Sequence, residues 1–420
     1  MDKIFPIKTE TACRLKWGWS TIYLSTGETA SCHRCRKHEF DLDTFDFHNT
    51  EEKVKSREMM LEGKWPGLGC EYCKDIEQAG GESDRTTNLA MPGVPTPPEL
   101  KDNPIATSVT PTVLEVYFSN LCNQKCLYCT EIFSSMWAEE NHKFSKSKTT
   151  KDWSVSKNGV IFKNIDNFED TKQKVYDWLK GKGRNLSQFN FLGGESLFQK
   201  EFIECLDVFD QHPNPKLKLQ IFTNLNVKKD RLVSIINKIE HLIAKRKIGS
   251  FQITASLDNW GPEAEYVRYP LDLREWEENF LYVLSKKYIN LIINSTLTPL
   301  TIKTYPALLE KVKEWSKIRK VYLYQNSVNW PNNQKIDIFG NIFEEDFQKA
   351  LALKPVNTQE DQLSRDYLDG IRQQSNSKEP NVKEITSLFH FLNDIDFRRN
   401  ISWRKTFPWL IEEFGKYDLR

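Results

Sequence analysis

The chain has no run of eighteen apolar residues and no excess of charge of one sign. A helix that spans the hydrocarbon core of a bilayer needs about twenty predominantly apolar residues, so we expect no membrane partner. The 59 lysines and arginines nearly balance the 58 aspartates and glutamates, and the formal net charge is +1. A chain-wide field that would attract nucleic acid is therefore absent, and nucleic acid is not an expected partner.

Cysteine is also scarce, with nine in 420 residues, and eight of the nine fall in close groups or at spacings that suit metal binding. Such grouping is more typical of metal sites than of disulfides. The amino terminus lacks the apolar core of a signal peptide. We therefore expect a cytoplasmic protein whose thiols stay reduced.

Strand-like and helix-like patterns alternate from residue 111 onward. Six apolar, β-branched or aromatic runs predict strands at Val113–Phe118, Gln188–Leu192, Leu217–Thr223, Phe251–Leu257, Leu291–Leu297 and Val321–Tyr324. Five segments between them have helical spacing of apolar residues: Thr171–Lys180, Lys200–Phe209, Lys229–Ala244, Leu273–Lys286 and Tyr305–Ser316. The alternation predicts the α/β class with a parallel sheet and right-handed crossovers. It fits a partial barrel and an open, doubly wound sheet equally well.

Composition divides the chain into four predicted regions. Residues 1–90 form a cysteine-bearing module, and residues 91–110 form a proline-rich linker. The alternating segments occupy residues 111–330, with a polar, lysine-rich insertion from His142 to Thr171. Residues 331–420 form a helical extension with enough apolar side chains to dock.

Cys122, Cys126 and Cys129 form a C-x3-C-x2-C run directly after the first of the six strands. A four-iron cluster with four cysteine ligands is a closed electron carrier. Three thiolates would leave one iron open for chemistry, much as catalytic metal sites keep an open position. Barrel active sites lie at the carboxyl ends of strands, where this run is placed. A zinc site or buried structural thiols are the alternatives, although zinc motifs usually have two C-x2-C pairs.

This cysteine spacing resembles the signature of the radical S-adenosylmethionine (SAM) enzymes. Gly193-Gly194-Glu195 follows the next strand, and a similar Gly-Gly-Glu in that family contacts the amino group of the SAM methionine. Paired glycines let the backbone approach a ligand closely. The resemblance implies that these three residues bind SAM and that the fold is a partial (β/α)6, TIM-like barrel.

The same resemblance implies five more SAM-binding residues at the ends of strands or beside the cysteines. Asn224 lies in a Thr-Asn turn, Ser256 would meet the ribose, and Asp258 closes the same strand. Arg268 would hold the SAM carboxylate, which suits the forked geometry of a guanidinium. Tyr128 would lie against the adenine. From the residues alone, a core aromatic and a surface salt bridge stay open for Tyr128 and Arg268.

A second group of cysteines lies near the amino terminus, around a predicted hairpin at residues 20–31. Its pattern, C-x13-G-x4-C with a distant C-x2-C, resembles the twitch module, the half-size relative of the SPASM domain. The resemblance implies an auxiliary [4Fe-4S] cluster held by Cys13, Cys32, Cys70 and Cys73.

The amino-terminal group departs from the family pattern in two ways. Relatives usually carry this module after the barrel, and Cys35 provides a fifth candidate ligand. A zinc ribbon that uses Cys32, Cys35, Cys70 and Cys73 is therefore an alternative, although it would leave Cys13 unused. The ninth cysteine lies on an apolar helical stripe and is predicted to be a core residue.

Taken with the resemblance, these residues imply a radical SAM enzyme. An external donor such as flavodoxin or ferredoxin would reduce the [4Fe-4S] cluster, and reductive cleavage of SAM would give a 5′-deoxyadenosyl radical that abstracts hydrogen. A peptide or protein is the favoured substrate, and oxidation of a small-molecule alcohol or sugar is the alternative. A non-catalytic zinc-ribbon scaffold or RNA-binding protein stays open as a different class.

Overall fold

The computed structural model describes residues 5–67, 69–90, 94–144, 153–155, 161–163 and 168–419. Three predictions lie partly outside the described residues. They concern the start of the amino terminus, positions 91–93 of the linker, and most of the insertion.

The described residues contain eleven strands and seventeen α-helices. The strands are β1 (Trp19–Tyr23), β2 (Glu28–Ala30), β3 (His38–Glu39), β4 (Val113–Tyr117), β5 (Trp153–Val155), β6 (Ile161–Lys163), β7 (Gln188–Leu192), β8 (Asn214–Thr223), β9 (Ile248–Ser256), β10 (Ile289–Leu297) and β11 (Tyr322–Ser327). The helices are α1 (Arg14–Gly18), α2 (Glu51–Leu61), α3 (Glu71–Gln78), α4 (Asp84–Ala90), α5 (Glu99–Asp102), α6 (Ser135–Phe144), α7 (Phe168–Lys180), α8 (Lys200–Gln211), α9 (Lys229–Ala244), α10 (Pro262–Val267), α11 (Leu273–Leu284), α12 (Tyr305–Trp315), α13 (Glu344–Leu353), α14 (Gln359–Asn376), α15 (Val382–Arg399), α16 (Trp403–Thr406) and α17 (Trp409–Gly415). Short 3-10 turns lie at Lys182–Asn185, Ser196–Phe198, Ile302–Thr304 and Asn332–Gln334.

Nine of these strands belong to one sheet, in the order β11-β10-β9-β8-β7-β4-β1-β2-β3. β4 pairs in parallel with β7, β7 with β8, and β10 with β11. From β4 to β11 the spatial order follows the chain order, as expected of successive right-handed crossovers. All six predicted strands and all five predicted helices are present, with ends that differ by a few residues. The α/β class is therefore confirmed.

The described chain divides into two compact units, and β8 and β9 contribute residues to both. The first unit comprises Met1–Asn120, Thr149–Ile221 and Ile235–Phe251. The second comprises Leu121–Lys148, Phe222–Ser234 and Gln252–Arg420. The bounds of the four predicted regions stay predictions.

In the first unit, the predicted amino-terminal hairpin is confirmed as the antiparallel pair β1 and β2. Gly27 turns the hairpin with a φ of +67°, a backbone conformation that glycine adopts without steric cost. β1 also pairs in parallel with β4, an arrangement that the hairpin pattern did not predict. Val113, Leu114 and Val116 of β4 are buried, as is usual for a parallel strand covered on both faces.

In the second unit, the predicted carboxyl-terminal helices are present as α15, α16 and α17. Ile385, Leu388, Leu392 and Ile395 recur at helical spacing along α15 and are fully buried. Full burial of one such side chain contributes about 1.5–3 kcal/mol. Packing of this apolar stripe is therefore enough to hold the extension in place.

None of the described helices combines the length and the apolarity that crossing a membrane requires.

Candidate functional site

The triplet loop, residues 121–134, connects β4 to α6 and carries the three spaced cysteines. Cys126 is buried, Cys122 and Cys129 are half-buried, and none of the three is in a disulfide bond. The Cys126 sulfur lies 3.7 Å from the Gln124 side-chain oxygen, and the Cys129 sulfur lies 3.7 Å from the Thr130 carbonyl oxygen. These sulfur contacts are to oxygen atoms of the same loop.

Backbone hydrogen bonds attach the triplet loop to the segment that follows α10. The Leu127 N–H donates to the Val267 carbonyl oxygen at 2.9 Å, and the Lys125 N–H donates to the Tyr269 carbonyl oxygen at 2.7 Å. Cys126 lies between the two bonded residues of the loop, and an arginine lies between the two bonded residues of the other segment. The pairing therefore places the central cysteine beside that arginine.

The arginine, Arg268, belongs to a buried trio with Asp258 and Tyr128. Its Nη1 donates to the two Asp258 carboxylate oxygens at 3.2 and 3.1 Å, and it also donates to the Tyr128 hydroxyl. The Tyr128 hydroxyl donates to Asp258 at 2.7 Å, and the Thr296 N–H donates to the same carboxylate at 2.9 Å. Asp258 is fully buried, and Arg268 is 6% exposed. The chain itself thus supplies four hydrogen bonds to Asp258.

Burial dominates the ionisation of two triplet thiols, Cys126 and Cys129. It raises the pKa of Cys129 to about 12. It also raises the pKa of Cys126, whereas the positive charge of the nearby Arg268 guanidinium lowers it. Because a metal ligand must be the thiolate, a metal bound at Cys126 and Cys129 would have to displace their protons.

Three buried polar atoms near the cysteines have no hydrogen-bond partner among the described residues. They are the Gln124 side-chain nitrogen, the Thr130 hydroxyl oxygen and the Arg268 Nε. A buried polar atom without a partner costs about 1–3 kcal/mol, so such atoms usually have a ligand or water. Three soft thiols with unused donors beside them are a donor set that fits an anionic iron–sulfur cluster and a carboxylate.

Gly193, Gly194 and Glu195 follow β7 in the first unit. Gly193 has a φ of +142°, and a Cβ there would lie 2.5 Å from the Ser119 carbonyl oxygen. The Gly194 N–H donates to that same oxygen at 3.0 Å. Glu195 is buried, and its carboxylate accepts from the Leu197 N–H at 3.0 Å. Packing within the chain therefore already requires a glycine at position 193.

Asn224 and Ser256 end strands in the second unit. The Asn224 side-chain nitrogen donates to the Asn123 side-chain oxygen at 2.8 Å, and its own oxygen accepts from the Asn226 N–H at 2.9 Å. Asn123 lies between the first two cysteines of the triplet loop. The end of β8 is therefore attached to that loop, whereas Ser256 is half-buried at the end of β9.

A buried ion pair that the sequence analysis missed anchors the triplet loop to the carboxyl-terminal helices. The Arg399 guanidinium, at the end of α15, donates to Glu140 at 3.1 and 3.2 Å. Glu140 also accepts from Lys125 of the triplet loop. Burial alone would raise the pKa of Glu140, but hydrogen bonds from Arg399 and Lys125 lower it. The partners are 259 residues apart, so no local pattern identifies them.

In the amino-terminal group, the structure brings several sulfur atoms together within the first unit. The Cys32 thiol donates to the Cys35 sulfur at 3.3 Å, and the Lys16 ammonium donates to the same sulfur at 3.1 Å. Hydrogen bonds from Cys32 and Cys70, with the charge of Lys16, hold the pKa of Cys35 well below its usual range. Cys13 and Cys70 are buried in one apolar cluster, and Cys32 and Cys35 pack against it.

Cys73 lies in the first turn of α3 and is half-buried. Over the described ranges, no three His, Cys, Asp or Glu side chains are placed to hold a single metal ion. The predicted core position of the ninth cysteine, Cys205, is confirmed because its side chain is fully buried.

No family model matches the chain, and no curated protein matches it. Several solved structures match the chain at low sequence identity. SuiB of Streptococcus suis bound to S-adenosylmethionine is 14% identical over 78% of this chain and 65% of SuiB, with a TM-score of 0.36. The structure called anSMEcpe, with bound AdoMet and the Kp18Cys peptide, is 18% identical over 62% of each chain, with a TM-score of 0.35. In these two comparisons the chain spans less than two thirds of the other protein's length.

Proposed function

We propose that the chain is a radical SAM enzyme whose [4Fe-4S] cluster is held by Cys122, Cys126 and Cys129. The observation that carries the proposal is the pairing of the triplet loop with the segment after α10. It places Cys126 beside Arg268, whose Nε has no hydrogen-bond partner among the described residues. Soft ligands and an unused guanidinium donor next to each other suit a metal cluster and a carboxylate-bearing ligand.

The chain's own residues hold and orient the two cofactors. The cysteine thiolates bind the cluster, and Arg268 donates to the SAM carboxylate while Asp258 keeps the guanidinium in place. Gly193, Gly194 and Glu195 would bind the methionine amino group, and Asn224 and Ser256 the remaining polar groups of SAM. Tyr128 would lie against the adenine. When bound, the cluster and SAM supply one-electron cleavage to methionine and a 5′-deoxyadenosyl radical, which takes a hydrogen atom from the substrate.

Six strands would form the partial (β/α)6, TIM-like barrel of that family: β4, β7, β8, β9, β10 and β11. They and their crossovers follow one another in chain order. The amino-terminal cysteines would form a twitch-like module with an auxiliary [4Fe-4S] cluster. The resemblance to twitch and SPASM proteins supports a peptide or protein as substrate. Oxidation of a small-molecule alcohol or sugar is the second candidate, and an external flavodoxin or ferredoxin would supply the electron.

Anaerobic reconstitution with iron and sulfide tests the proposal. We expect about eight irons per chain, and 5′-deoxyadenosine on addition of SAM and dithionite. Zinc in place of iron, with no 5′-deoxyadenosine, would instead identify a metal-stabilised scaffold. The same samples therefore separate the enzyme from the non-catalytic alternative.

A further inference from the structure

We propose that the auxiliary cluster is bound by Cys13, Cys32, Cys35 and Cys70, with the Lys16 ammonium hydrogen-bonded to a ligand sulfur. This inference rests on the proposed function only in that the site binds iron and sulfide. It replaces Cys73, which the twitch spacing predicts as a ligand, by Cys35.

Three donors converge on the Cys35 sulfur. The Lys16 ammonium lies 3.1 Å away, the Cys32 thiol lies 3.3 Å away, and the Cys70 thiol also donates to it. Lys16 is only 3% exposed, and an anionic partner would offset the hydration that its buried ammonium has lost. Cys35 is therefore the sulfur at the centre of the group.

A glycine fixes the turn that carries Cys70 against the Cys35 segment. A Cβ at Gly69 would lie 2.1 Å from the Arg34 carbonyl oxygen and 3.1 Å from the Cys35 Cα, and the Gly69 φ is +96°. Any other residue would force the two segments apart. The approach of Cys70 to Cys35 is thus built into the backbone as well as the side chains.

Cys13 completes the buried set from a third element, the start of α1. It shares an apolar cluster with Cys70, Trp17 and Met60, and Cys32 and Cys35 pack against the same cluster. Four cysteine ligands are the complement of a closed [4Fe-4S] carrier.

Cys73 has a different environment. It lies on α3, a helix with no buried residue, and its charged neighbour is the Arg34 guanidinium. That guanidinium is placed 4.3 Å from the centre of the Tyr72 ring and 2.7 Å from the Asp84 carboxylate. Cys73 is half-buried, as Cys32 and Cys35 are, but those two pack against the apolar cluster that contains Cys13 and Cys70, whereas Cys73 lies on the polar face around Arg34.

Lys16 acts as a positioning residue through its contact with a ligand sulfur. Positive charge and N–H donors at cluster sulfurs stabilise the reduced cluster and raise its reduction potential. Lys16→Met keeps the aliphatic stem but removes the charge. We expect it to lower the midpoint potential of the auxiliary cluster without loss of iron.

The test uses the full-length chain with Cys122, Cys126 and Cys129 all replaced by alanine, so that only the amino-terminal site remains. After anaerobic reconstitution, this background should bind about four irons. Adding Cys35→Ser should remove most of that iron, whereas adding the matched Cys73→Ser should leave it unchanged. Circular dichroism checks that each variant is folded.

Loss of iron in the Cys73→Ser variant would overturn the ligand set, whether or not Cys35→Ser folds. Zinc instead of iron in the background variant would overturn the cluster. An unchanged midpoint potential in Lys16→Met would overturn the role of Lys16. Failure of the proposed function has a separate signature, because it would appear in the chain with all its cysteines as an absence of 5′-deoxyadenosine while the amino-terminal iron is still bound.

Discussion

The amino-terminal cysteines and the triplet loop differ in what surrounds their sulfur atoms. In the first group, thiols donate to another thiol and a buried ammonium donates to the same sulfur. In the triplet, the Cys126 and Cys129 sulfurs contact oxygen atoms of their own loop, and a nearby cation, Arg268, is already paired with Asp258. Under the proposed function, the first group would be a closed site. The second has three thiols and unused donors, and would receive a further ligand.

The same contrast appears in the buried cations of the two regions. Burial alone would lower the pKa of Lys16, but the thiols around it raise that pKa above its usual value. Lys354, in the second unit, instead donates to a carbonyl oxygen, an amide oxygen and a hydroxyl, and burial lowers its pKa to about 7. The pKa of a buried lysine is thus raised beside thiols, as at Lys16, and lowered among neutral oxygen atoms, as at Lys354.

Replacing Cys126 by alanine should have the largest effect. We expect complete loss of 5′-deoxyadenosine formation and loss of about four of about eight irons, because two thiolates do not hold a four-iron cluster. Iron analysis and chromatography of the SAM cleavage products measure both. Cys205→Ala, which changes a cysteine outside both groups, is the control and should retain the iron. Loss of all iron from Cys126→Ala would show that the two regions are not independent.

Asp258→Asn tests how far the ion pair between Asp258 and the buried Arg268 guanidinium stabilises the fold. The change leaves the Arg268 charge buried without a carboxylate, and breaking a buried pair in this way costs about 3–5 kcal/mol. Urea denaturation of the metal-free protein should show that decrease in the free energy of unfolding. Asp43→Asn, at a fully exposed carboxylate, should change it by less than about 0.5 kcal/mol. Equal effects from the two variants would refute the burial argument.

Arg399→Met tests the anchor between the triplet loop and α15. Glu140 keeps Lys125 as a partner, so we expect a cost near the lower end of that range, about 3 kcal/mol. We also expect faster iron loss from the triplet in the presence of a chelator. Arg274→Met removes a guanidinium from the surface and is the matched control. Unchanged iron retention in Arg399→Met would mean that the anchor does not support the loop.

Lys354→Met tests the contrast between the two buried lysines, and the effect is the smallest. Between the folded pKa of about 7 and the ordinary value of 10.5, the unfolded chain binds one more proton than the folded chain. The free energy of unfolding should therefore rise with pH in this range, by at most about 1.4 kcal/mol per pH unit. Lys354→Met should lose that contribution in urea denaturation between pH 7 and pH 9, whereas the exposed Lys349→Met should keep it. Parallel pH profiles for the two variants would contradict the lowered pKa.

Much of the fold could be predicted from the sequence because the parallel strands are short apolar runs separated by helices with a regular apolar stripe. β7 (Gln188–Leu192) and α9 (Lys229–Ala244) begin and end at the residues that their sequence patterns predict. The parallel pairing of β1 with β4 was missed, because a hairpin pattern identifies its antiparallel partner and contains no information about the other edge.

The site was predictable to the extent that spacing along the chain identifies it. The cysteine spacings pick out two groups of sulfur atoms, whereas the ion pair between Asp258, after β9, and Arg268, after α10, was not predicted. Choosing between Cys35 and Cys73 needs the fold, because both complete a C-x2-C spacing in the chain. Arg399 and Glu140 meet only through tertiary packing, so no periodicity or motif could have identified them.

The most direct test of the central claim is electron paramagnetic resonance of the reduced, reconstituted protein with and without SAM. If the triplet leaves one iron open, SAM should change the signal of that cluster, and the change should be absent in Cys126→Ala. A spectrum that SAM leaves unaltered in the wild-type chain, with iron bound at the triplet, would contradict the account.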